Sequence, residues 1–105
     1  MIIYLIESIR EHDIVYKIGH TKNSKNRISN LQTGNDGTLN ILYEFHSKYG
    51  SKLEKRLHKF YSHNNIKNEW FKLNSSEIEN FNKICENIEK GFDALKDNPF
   101  FNKSI

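Results

Sequence analysis

Cysteine occurs once in this chain, at Cys85, so an internal disulfide and any cysteine-rich zinc site are excluded. Lying within an apparent helix, that thiol reads as a small buried hydrophobe. Long apolar runs are lacking as well. The run Ile2 to Ile6 is too short for a signal peptide and is followed at once by charge. No stretch approaches the roughly 18 apolar residues of a membrane span, and the expectation is an intracellular, soluble protein with no membrane partner. There is no GxxxxGK[ST] phosphate loop and no GxSxG nucleophile elbow. The five histidines show no tight metal-ligand spacing; His58 and His63 are five apart and leave the same helix face. No repeat, low-complexity stretch or linker is present.

What remains fits one small domain. The 105 residues are 36% hydrophobic and 12% aromatic, enough for a modest core. A net charge of +3 suits contact with a polyanion, though such a charge is common among proteins with no nucleic-acid partner. We expect the domain to cover residues 1–91, with 92–105 a C-terminal tail that Pro99-Phe100-Phe101 could dock onto it.

Met1 to Glu7 is almost wholly apolar and reads as a strand buried on both faces. Arg10 to Asp13 is a turn, and Ile14 to His20 returns as the second strand of an antiparallel hairpin. Alternation places Ile14, Tyr16, Ile18 and His20 on one face, and Val15, Lys17 and Gly19 on the other. Lys17 interrupts an apolar strand, while Gly19 leaves room for another group to approach. A helix capped by Asn23 or Ser24 then runs to about Thr33, with Arg27 bordering its inner stripe. Leu39 to Phe45 is a third strand.

A second helix from Gly50 or Ser51 to near Ser62 turns Leu53, Leu57, Phe60 and Tyr61 inward, with Glu54 and His58 beside that stripe. His63 to Lys67 is a polar loop and Asn68 to Leu73 an extended piece. A capping box at Asn74–Glu77 or Ser76–Glu79 opens a third helix that Gly91 ends, with Ile78, Phe81, Cys85 and Ile88 inward.

Lys17, His20, Arg27, Glu54 and His58, with Tyr4, can be drawn together on this scheme. One carboxylate among cations suggests a hard ion, Mg²⁺ or Mn²⁺, held largely by water and acting on a phosphodiester. An arginine fork would stabilise charge on the phosphorus oxygens. Lys22, Lys25, Lys55 and Lys59 could lie along a DNA backbone, the second helix being the most basic element.

The order Ile2-Ile3-Tyr4, Lys17-Ile18-Gly19, Arg27, Leu31-Gln32-Thr33-Gly34-Asn35, Glu54, His58 and Glu69-Trp70-Phe71 resembles the GIY-YIG nuclease superfamily, in its phage and bacterial branch. The resemblance covers about residues 1 to 73. It implies an α+β fold, a three-stranded antiparallel sheet flanked by helices, and metal-dependent endonuclease cleavage of DNA. By that likeness Tyr4 is a base or water-orienting group, Arg27 the catalytic arginine, Glu54 the metal ligand and His58 a branch-specific histidine. Lys17 stands where the second motif has tyrosine, which leaves the base open among Tyr4, Lys17 and His20. The alternative is the same fold kept as a DNA-binding module without catalysis.

Overall fold

The computed structural model describes residues 1–23, 26 and 38–96. The expected hairpin is present. Strands β1 (Ile2–Ile9) and β2 (Ile14–Thr21) pair antiparallel along their whole length, Ile2 facing Thr21 and Ile9 facing Ile14. Strand β3 (Thr38–His46) pairs antiparallel with the other edge of β1, with a register shift at Leu5/Ile6. With a neighbour on each side, β1 is central, and Ile3 to Ile6 are all buried, as a continuous apolar run requires.

The sheet does not stop at three strands. After helix α1 (Ser51–Phe60) and a 3-10 turn at Ser62–Asn64, strands β4 (Asn65–Lys67) and β5 (Trp70–Phe71) extend it to five, in the order β3-β1-β2-β5-β4. The expected three-stranded sheet is therefore wrong by two strands, and the expected polar loop at residues 63–67 contains one of them. The reason is physical. All three β4 residues are exposed, so no apolar alternation marks it. Backbone and side-chain amides hold this hairpin instead. Asn65 Nδ2 donates to the Asn68 and Trp70 carbonyls at 2.8 and 3.2 Å, and Asn68 makes the turn at a φ of 53°.

The predicted third helix is two. A capping box, in which Asn74 accepts from Glu77 N–H while the Glu77 carboxylate accepts from Asn74 N–H, opens α2 (Ser75–Glu79). The chain then turns at Asn80 into α3 (Phe81–Lys96), which runs straight through the expected stop at Gly91. The expected helix at about 23–33 and the docking of Pro99-Phe100-Phe101 lie outside the described residues.

The sheet separates two cores. On the helix face, Ile3, Leu5, Tyr16 and Ile18 pack with Leu53 and Leu57 of α1, Tyr61, Phe71, and Phe81 and Cys85 of α3. Tyr43, Phe81 and Tyr61 form a stack, with centroids 6.2 and 6.4 Å apart. On the other face Tyr4, Ile6 and Leu39 pack with Ile41 and Trp70. No helix among the described residues is long and apolar enough to cross a membrane.

Candidate functional site

The C-terminal end of β2 gathers polar side chains on the helix face, where the rest of the strand is apolar or aromatic. His20 lies on the helix face, two and four residues beyond the buried Ile18 and Tyr16. Above it runs α1, whose Leu53 and Leu57 are fully buried and turn the neighbouring Glu54 and His58 towards β2. Four helical residues rise about 6 Å and two strand residues about 6.6 Å, so partners four apart on a helix can meet partners two apart on a strand. That match is used here. Glu54 Oε2 lies 3.1 Å from His20 Nδ1, and His58 Nε2 lies 2.8 Å from the Ile18 carbonyl.

Both contacts fix which ring nitrogen donates. A carboxylate and a carbonyl can only accept, so His20 donates through Nδ1 and His58 through Nε2. Neutral His20 then keeps its lone pair on Nε2, oriented by a carboxylate in the manner of acid–histidine pairs. Glu54 is in the first turn of α1, where the helix dipole favours negative charge. Its side chain is 15% exposed and that of His20 27%, so the pair is sheltered yet reachable. The His58 ring stands edge-on to Phe71, centroids 5.2 Å apart, which ties it to the core.

Lys17 and Tyr4 are on the opposite face of the sheet. Tyr4 pairs with Gly19 and Ile6 with Lys17, so these side chains project away from α1. Lys17 is buried and forms an ion pair with Glu69; its Nζ is also 5.5 Å from the centre of the Trp70 ring. The room beside Gly19 is filled by Tyr4, whose ring and hydroxyl a methyl group at that position would overlap. Thus His20, Glu54 and His58 are brought together, whereas Lys17 and Tyr4 do not share their face. Lys22, Lys55 and Lys59 are exposed. Arg27 and Lys25 lie outside the described residues.

Glu69 was missed as a partner. A lysine within an apolar strand calls for a counter-charge, because burying an unpaired ammonium is costly. The nearby Glu69-Trp70-Phe71 motif supplied both that acid and an aromatic cover. The Glu69 carbonyl also accepts from Ile18 N–H at 3.2 Å, carrying β2–β5 pairing one residue past the strand.

Among the described residues no group of three His, Cys, Asp or Glu side chains could hold a metal. Within them the acid at the site is Glu54, whose Oε2 meets His20; a lone carboxylate is the kind of donor that a largely hydrated Mg²⁺ ion takes.

Compared with known families, residues 1–89 match the T5orf172 domain. That match replaces the GIY-YIG resemblance, for which the comparisons give no support: the motif order that suggested it belongs to a distinct family. The T5orf172 domain is associated with nuclease and DNA-binding functions, which is compatible with a DNA-related role. Neither the curated proteins nor the solved structures gave a match.

Proposed function

The chain belongs to the T5orf172 domain family, and from that premise we propose that it is an endonuclease hydrolysing DNA phosphodiester bonds with the help of a divalent ion. The observation that carries the reading is the Glu54–His20 pair at the end of β2. His20 Nε2 takes the proton of the attacking water, and the Glu54 carboxylate holds the ring in that tautomer and steadies it when charged. Glu54 is also the residue that would hold Mg²⁺ or Mn²⁺ through Oε1; such an ion, when bound, supplies positive charge next to the phosphate. Arg27 is assigned to stabilising charge on the phosphorus oxygens. His58 acts through the backbone, fixing the Ile18 carbonyl and so the position of His20 two residues on. Lys17 serves as a strut under the site, its charge already met by Glu69. Tyr4 supports Gly19 from beneath. Lys22, Lys25, Lys55 and Lys59 are assigned to phosphate contacts.

The test is plasmid nicking with Mg²⁺ and Mn²⁺. Glu54→Ala, His20→Ala and Arg27→Ala should each lower the rate by about 100-fold or more, the usual scale for a general base or a charge-stabilising group. Activity that survives in all three would end the mechanism. A second reading, a DNA-binding module without catalysis, needs only the exposed Lys22, Lys55 and Lys59. Salt-dependent DNA binding with no cleavage under either metal would select it.

A further inference from the structure

At the opposite end of β2 from His20, where the β1–β2 turn meets the β4–β5 hairpin, the surface opens into a groove of about 480 Å³. Arg10, Asp13, Ile66, Lys67, Trp70 and Lys72 line it. Its cations are not equivalent. Lys72 is 3.7 Å from Asp13 and its charge is partly met. Arg10 and Lys67 are exposed and have no acidic partner among the described residues. The Arg10 guanidinium stands 5.4 Å from the centre of the Trp70 ring, which holds it at the rim by cation–π attraction without neutralising it. A half-buried aromatic platform with two unmatched cations beside it complements a polyanion, and neither cation is part of the site above.

We infer that this groove is a second contact for the sugar–phosphate backbone of DNA, with Arg10 and Lys67 each taking a phosphate; the inference rests on the DNA reading of the preceding section. Val15, at the groove, is about 17 Å of strand from His20 at 3.3–3.4 Å per residue and on the other face of the sheet, so the groove meets a stretch of backbone separate from the one at His20. Charge contacts of this kind set position and affinity and leave sequence unread.

Fluorescence anisotropy of a labelled duplex, titrated with the full chain over a range of salt concentrations, tests this. R10E/K67E should bind about tenfold or more weakly at low salt, with a log–log salt dependence shallower by about two. A thermal melt should show R10E/K67E folded. E54A should bind normally while failing to nick, which separates the groove from the chemistry. If R10E/K67E binds like wild type with the same salt slope, the groove is not a DNA contact, whatever the nicking assay shows. Poly-glutamate binding abolished in R10E/K67E, with duplex binding intact, would reassign the groove to an acidic protein. A wild-type chain without DNA affinity would overturn both the groove and the proposed function.

Discussion

The two faces of the sheet solve the burial of polar groups in different ways. Under α1 and α3 the core is apolar and aromatic, and the carboxylate and imidazoles beside it, Glu54, His20 and His58, sit at the margin where β2 ends. On the opposite face a lysine lies in mid-strand, buried and matched by Glu69. A buried charge that is already paired contributes to architecture, whereas a sheltered imidazole with one free nitrogen is available for chemistry. The difference teaches where to look in this fold: at the strand's end, not beneath its middle.

The sharpest way to break the contrast is to remove a ring from the helix face. Phe81→Ala should cost about 3–5 kcal/mol in urea unfolding, since Phe81 is fully buried between Tyr43 and Tyr61. Gly19→Ala tests the other face. The added methyl meets the buried Tyr4 ring, and a loss of about 1–3 kcal/mol is expected from overpacking. A next, smaller effect is expected for Glu69→Gln, which leaves the Lys17 ammonium unpaired. Glu69 is 38% exposed, so solvent screening limits the loss to about 1–2 kcal/mol. Lys17→Met combined with Glu69→Gln should recover most of it; a double variant no better than Glu69→Gln would show that the pair is not the strut inferred here.

The smallest effect appears only in alkali. Burial, with lesser contributions from nearby anionic groups, pushes the Tyr61 hydroxyl from 10.0 up to about 12 and the Cys85 thiol from 9.0 up to about 12. Both stay protonated in the folded state at a pH where the unfolded chain would release the proton. Their contribution is thus complete below about pH 9 and declines as pH rises towards 12. Urea midpoints measured from pH 8 to 11 should fall, and Cys85→Val should flatten the decline without affecting stability at pH 8 in proportion.

Legibility from sequence followed the same division. The first hairpin, the β2 alternation, the Leu53–Leu57 stripe and the Asn74–Glu77 cap were all readable, because each leaves a period or a local signature in the residues. The buried Cys85 was readable for the same reason. The β4–β5 hairpin was not, since exposed amides and a left-handed Asn68 hold it. Within the site, Glu54, His58 and His20 were correctly taken as neighbours of the helix-face core. Placing Lys17 and Tyr4 with them failed because the grouping set aside the alternation itself, which puts Lys17 on the face opposite His20, and Tyr4 beside Gly19 on that same face. The expected proximity of Arg27 to Glu54 lies outside the described residues.

Strand β5 is only two residues long, and from that brevity a design rule follows. Were it to continue two residues further, through Glu69 to Asn68, it would face Ile18 and Gly19, and the Ile18 carbonyl could take a backbone amide in place of the imidazole. A seam left unsewn is thus what obliges a helix to supply histidine, and that obligation sets the helix in register with the carboxylate one turn earlier.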